Sequence, residues 1–148
     1  MPSHAAYQSA VKIVDLLLVN YYGQHGKWPE MASLILWGTE ISRTEGIGVA
    51  EFMYLLGCKP VWADNGKVLG VEQIPIEDLN VTLSNGSVVN RPRVDVFASM
   101  VTNNKDWISW MLTSVNLALN AEGEDETNNY VKKHYAENPM LDRLFGLP

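Results

Sequence analysis

The run Ala32-Ser33-Leu34-Ile35-Leu36-Trp37, closed by Gly38, is almost unbroken in apolar character. Such a run fits a strand buried on both faces, as in a parallel sheet. A second run of the same kind, Val94-Asp95-Val96-Phe97-Ala98-Ser99-Met100, has Asp95 as its only charge and is broken by Asn103-Asn104. Each is followed by an amphipathic helix. The two runs are therefore expected to be neighbouring central strands.

Outward from these runs the chain alternates. From Ala5 to about Tyr22, Tyr7, Val11, Val14, Leu18 and Tyr21 recur at three- and four-residue steps. That spacing predicts an amphipathic helix with Lys12 and Asp15 turned to solvent, stopped by Gly23 and Gly26. A second helix runs from about Ile47 to Leu56, with Gly57 and Pro60 as its stop signal. Asn65-Gly66 and Asn85-Gly86 each sit between apolar segments and predict two β-hairpins. Pro75 to Leu79 reads as one helical turn. A third helix starts near Asp106, with Ile108, Met111, Leu112, Val115 and Leu119 on one face and Ser109, Thr113, Asn116 and Asn120 on the other. Short helices are expected at Asn129–Ala136 and at Pro139–Gly146. The order predicts a single α/β domain over residues 1–148: a mostly parallel, Rossmann- or flavodoxin-like sheet with flanking helices and one or two hairpins.

Composition narrows the function. The 148 residues are 47% hydrophobic and 19% charged, enough for one compact core and unlike a disordered chain. The net charge of −6, with cations scattered from Lys12 to Arg143, argues against a nucleic-acid partner. The longest apolar run near the N-terminus, Leu16-Leu17-Leu18-Val19, is far short of the roughly 18 residues of a membrane span. With no signal-like start and a single cysteine, Cys58, read as a small buried hydrophobe, the expected location is cytoplasmic.

The sequence lacks a phosphate-binding loop, a dinucleotide fingerprint and a nucleophile elbow, and His4, His25 and His134 lie too far apart for an autonomous zinc site. What remains is positional. In open α/β sheets ligands sit beyond the carboxyl ends of the strands. Here those ends carry Thr39, Glu40, Arg43 and Glu45 after the first strand, and Asn103, Lys105 and Asp106 after the second. One reading makes these a ligand-binding rim. The other makes Glu45 and Asp106 helix-start acids, with Arg43 and Lys105 as their surface partners.

The chain also carries a series of short motifs: Gly26-Lys27-Trp28-Pro29-Glu30, Leu36-Trp37-Gly38-Thr39-Glu40, Arg43-Thr44-Glu45-Gly46 and Tyr54-Leu55-Leu56-Gly57-Cys58-Lys59-Pro60-Val61-Trp62. Ile74-Pro75-Ile76-Glu77-Asp78-Leu79, Arg91-Pro92-Arg93-Val94-Asp95-Val96, Asn129-Tyr130-Val131 and Leu144-Phe145-Gly146 follow in order. Together they resemble the large subunit of cobaltochelatase (CobN-type) and the porphyrin-binding H subunit of magnesium chelatase, from about Ala5 onward. The chain departs from that pattern in Val101-Thr102-Asn103-Asn104-Lys105-Asp106, which keeps only the basic–acidic ending, in Ile47, and in Asn80 to Asn90, which resembles an insertion.

The resemblance implies an interior segment of a much longer ligase that binds a tetrapyrrole or corrinoid ring and inserts cobalt or magnesium. It implies AAA+ partner subunits that use ATP and Mg, with no cofactor in the segment itself and no turnover by the segment alone. Metal insertion releases two pyrrole protons, so a carboxylate can serve as base and attract the ion, while a cation holds a ring carboxylate. On this reading Glu45 is the catalytic carboxylate and Arg43 the anchor, with Thr39, Glu40, Asn103 and Lys105 lining the ring. Trp37, Trp107 and Trp110 are either core residues or stacking faces. The alternatives are a non-catalytic scaffold or subunit-docking domain of the same parent, or a paralogue that removes metal from haem.

Overall fold

A computed structural model describes residues 2–37, 44–101, 104–139 and 143–145. The two decisive runs form β1 (Met31–Trp37) and β6 (Asp95–Val101), paired in parallel with Met31 opposite Asp95 and Trp37 opposite Val101. A short strand, β7 (Leu144–Phe145), joins the other side of β6 in parallel, giving the order β1-β6-β7. The fold class is thus the expected one, a mixed α/β chain built on a parallel sheet.

Two expectations about the sheet need correction. Within the described residues β1 is an edge strand, because β6 alone pairs with it. Its alternate faces also differ: Leu36 is buried, whereas Ile35 is 69% exposed. The apolar run is therefore not consumed by this chain's own core. The second correction falls at Pro139–Gly146, where a helix was expected. Leu144 and Phe145 are strand, and residues 140–142 and 146–148 lie outside the described ones. A two-residue strand has too short a pattern to be told from a helical turn, and only its pairing with Ala98 and Ser99 defines it.

The helices pack around this sheet. α1 (His4–His25) opens on Ser3, whose hydroxyl accepts from the Ala6 amide, and closes at Gly26 in a left-handed conformation. Gly23 lies inside the helix, so only the second of the expected stop residues ends it. Ala6, Ala10, Val14 and Leu18 face inward. Burial of a side chain such as Leu18 contributes about 1.5–3 kcal/mol. Asp15, expected in solvent, is half-buried and accepts the Tyr54 hydroxyl at 2.7 Å.

α2 (Ile47–Leu55) is nearly apolar throughout and lies at the centre of the core with Val49, Phe52, Met53 and Leu55. β2 (Cys58–Trp62) and β3 (Val68–Gln73) make the first hairpin, and β4 (Asn80–Thr82) and β5 (Val88–Asn90) the second. A single 3₁₀ turn, Ile76–Asp78, links them. α3 (Lys105–Leu119) turns the expected face inward, with Met111 and Val115 buried and Ile108 and Leu119 packed against the core, but the face is centred so that Leu112 falls outside it. Trp107, Met111, Ser114, Val115 and Ala118 are buried, and Leu112 is exposed. The small Ser114 and Ala118 permit close approach, and the Ser114 carbonyl accepts the Cys58 thiol at 3.6 Å. Burial pushes that thiol up to about 12, so Cys58 is the inert small hydrophobe expected of it. α4 (Tyr130–Glu137) completes the helices.

Buried charged side chains hold the layers in register. Arg93 is fully buried and donates to the carbonyls of Leu56, Gly57 and Ile74, with its Nε 2.7 Å from Glu124 Oε1. Asp95 takes a two-pronged bond from Arg143, Nε to Oδ1 at 2.7 Å and Nη2 to Oδ2 at 3.0 Å. His134 Nδ1 lies 2.8 Å from the same Oδ2. β6, α4 and the lead-in to β7 are thereby tied at one carboxylate. Asp95 stands out in the sequence as the lone charge of its run, but its partners do not, because His134 and Arg143 lie 39 and 48 positions away.

Candidate functional site

The carboxyl ends of β1 and β6 point to one end of the sheet, as their parallel pairing requires. Of the six residues expected there, Thr39, Glu40, Arg43 and Asn103 lie outside the described residues. Glu45 and Lys105 are described, and both are exposed.

Glu45 is not a cap of α2. The N-cap is Gly46, which makes no side-chain cap bond, and no acid stands in the first turn. Instead Glu45 adopts φ 58°, the one left-handed non-glycine residue among those described. That conformation costs roughly 1–2 kcal/mol for a residue with a side chain. Its carbonyl accepts the Ser3 amide at 3.1 Å. Gly46 follows at φ 95°, and a β-carbon there would come within 2.8 Å of the Pro2 α-carbon. The N-terminal residues thus press the turn into place and leave the Glu45 side chain projecting without a bonded partner among the described residues.

The same N-terminal contact extends the rim to the first hairpin. Trp62 Nε1 donates to the Pro2 carbonyl at 2.9 Å, and the His4 ring stacks on the Trp62 indole with centroids 3.7 Å apart. Trp62 pairs with Val68 across the hairpin. From there Lys67, Val68 and Leu69 form one wall of a cleft of about 550 Å³. Its other wall is the segment leaving β6, namely Asn104, Asp106, Trp107 and Trp110. Asn104 caps α3 by accepting the Trp107 amide at 3.1 Å, and Asp106 stands in the first turn, as its helix-start reading required. Lys105 and Glu45 are not among the lining residues. Trp107 is a core residue at 5% exposure, whereas Trp110 is partly open. Lys67 and Leu69 escape the sequence reading, whereas Trp110 is one of the three tryptophans it offers as core residues or stacking faces. Asn65-Gly66 marked the turn beside Lys67, but nothing in the sequence placed that hairpin against α3.

A second groove, of about 480 Å³, runs between α1 and the free edge of β1, with Leu17, Met31, Leu34 and Glu51 among its lining residues. Burial pushes the Glu51 carboxyl above its usual range. Among the described residues no three or more His, Cys, Asp or Glu converge on a metal-holding geometry, and no helix is long and apolar enough to cross a membrane.

Comparison with known proteins gives one consistent result. The family model described as CobN/magnesium chelatase matches residues 1–141. The aerobic cobaltochelatase subunit CobN of Sinorhizobium sp is 31% identical over 146 residues, covering 96% of this chain and 11% of that protein. The chloroplastic magnesium-chelatase subunit ChlH of Oryza sativa subsp. japonica is 33% identical over 141 residues, covering 93% of this chain and 9% of its own length. Among solved structures, the catalytic subunit of cobaltochelatase from Mycobacterium tuberculosis superposes with a TM-score of 0.82 at 28% identity, over 97% of this chain and 12% of that one. The chain thus spans about a tenth of the length of these relatives.

Proposed function

Because this chain belongs to the CobN/magnesium chelatase family, we propose that its sheet-end rim borders a tetrapyrrole or corrinoid ring into which cobalt or magnesium is inserted. The observation that supports this reading is Glu45, an exposed carboxylate without a bonded partner among the described residues, held on left-handed backbone in the turn that enters α2. Backbone strain of this kind persists where surrounding contacts over-determine it, and it collects at working sites. Here Ser3 and Pro2 supply those contacts.

Insertion exchanges the inner N–H protons, two for a porphyrin and one for a corrin, for a divalent cation. Glu45 accepts one proton from a ring nitrogen and draws the ion toward the same point, and water takes the second proton of a porphyrin. Arg43 holds a ring carboxylate by charge-assisted bonds, and Thr39, Glu40, Asn103 and Lys105 complete the lining. ATP hydrolysis belongs to AAA+ partner subunits, as the resemblance to this family implies. The reaction takes place in the cytoplasm. A docking role is favoured for the exposed apolar side chains of the edge strand β1, Met31 and Ile35, which pack against the rest of a chelatase.

The experiment is a metal-insertion assay on the assembled chelatase, with cobalt and magnesium in turn and with and without ATP. Insertion that needs both ATP and the partner subunits supports the reading. Removal of metal from a loaded ring without ATP would replace it with the reverse activity.

A further inference from the structure

The cleft beside the first hairpin brings together side chains that are open to solvent in whole or in part. Lys67 sits after the β2–β3 turn, and among the described residues its ammonium makes no ion pair; Asp106 lines the same cleft from α3. Leu69 is 62% exposed on the same wall, an apolar side chain left in water. Opposite it stands the partly open indole of Trp110. A lone cation flanked by an aliphatic and an aromatic face suits a flat, largely apolar ligand that carries a carboxylate at its edge. Its volume, about 550 Å³, is that of a small-molecule site. The N-terminal residues touch both the Glu45 turn, through Ser3, and the hairpin that walls the cleft, through Pro2 and Trp62.

We propose that this cleft is an edge subsite for the tetrapyrrole ring, a statement that rests on the ring-binding reading above. Lys67 holds a peripheral ring carboxylate, and Leu69 and Trp110 lie against the ring face. Asp106 opposes a second carboxylate and so selects the ring's orientation by repulsion. The assignment concerns binding alone and leaves the proton transfer at Glu45 untouched.

The test uses protoporphyrin IX and its dimethyl ester, titrated into the protein and followed by tryptophan fluorescence quenching and by the ring's visible absorption. Lys67→Glu is expected to weaken binding of the free acid on the order of tenfold or more, since a charge-assisted bond is replaced by repulsion. It should change ester binding little. Asp106→Asn is expected to tighten the free acid, and Leu69→Ser to weaken both forms. Leu16→Ser, on the exposed face of α1, serves as control. These sites are exposed, so folding is preserved, and circular dichroism checks it. Binding of the acid that ignores Lys67, Asp106 and Leu69 would overturn the subsite while leaving ring binding at the rim intact. Failure of the wild-type protein to bind either ring would overturn the subsite, and the insertion assay then judges the family reading separately.

Discussion

Trp62 donates its indole N–H to the backbone carbonyl of Pro2 at 2.9 Å, and through this bond the N-terminus, the first hairpin and the Glu45 turn become one unit. Pro2 also packs under Gly46. Trp62→Phe keeps the ring stacked by His4 but removes the donor. A lost bond of this type costs about 0.5–1.5 kcal/mol, read as a lower urea midpoint. Amide hydrogen exchange should rise at Ser3 and Gly46 more than in α3.

Gly57 and Gly66 make a matched pair. Both have positive φ, 75° and 85°. At Gly57 a β-carbon would meet Arg93 Nη1 at 2.2 Å, while at Gly66 nothing lies within 4 Å. Gly66→Ala is expected to cost only the left-handed penalty, roughly 1–2 kcal/mol. Gly57→Ala must also displace a buried guanidinium from three carbonyls and Glu124, and should cost several kcal/mol, about 3 or more. Equal midpoints for the two variants would contradict the packing described.

Asp95→Asn tests the buried carboxylate under β6. Breaking a buried ion pair by removing one charge typically costs about 3–5 kcal/mol, because the remaining cation is left uncompensated. Arg143 is that cation, with its Nε 2.7 Å from Oδ1. Equilibrium unfolding should show this loss, and His134→Gln, which keeps a donor, should show less.

Much of this was readable in the chain and some was not. The β1 and β6 runs, both hairpins and the start of α2 follow from local apolar pattern and Asn-Gly turns. The edge of the α3 face does not, because Ser114 is buried for its small size and Leu112 is left exposed. Asp15 was misread for a related reason: periodicity places a side chain on a face but does not reveal Tyr54 waiting 39 positions away. At the site, position along the strands led to Glu45 and Lys105, whereas the Lys67 cleft depends on a hairpin folding across α3. Sequence order does not encode that approach.

Glu51 gives a pH signature. Burial raises its folded pKa above the unfolded value, so its neutral form is favoured by folding. The contribution is present below the unfolded carboxyl range and is lost as pH rises through the folded pKa. Glu51→Gln should therefore match wild type near pH 4 or below and exceed it in stability at pH 7, in urea titrations at both values. A variant less stable than wild type at pH 7 would mean that the ionised carboxylate is stabilised in the groove.

The central claim concerns the rim, and the most direct measurement is steady-state metal insertion by the assembled chelatase, with ring affinity determined separately, for Glu45→Gln and Arg43→Ala. A base and ion guide at Glu45 predicts near-normal ring affinity with turnover reduced on the order of 10²-fold. An anchor at Arg43 predicts the converse, ring affinity falling more than turnover. If both variants bind the ring and insert metal as wild type does, the rim is structural and the account is contradicted.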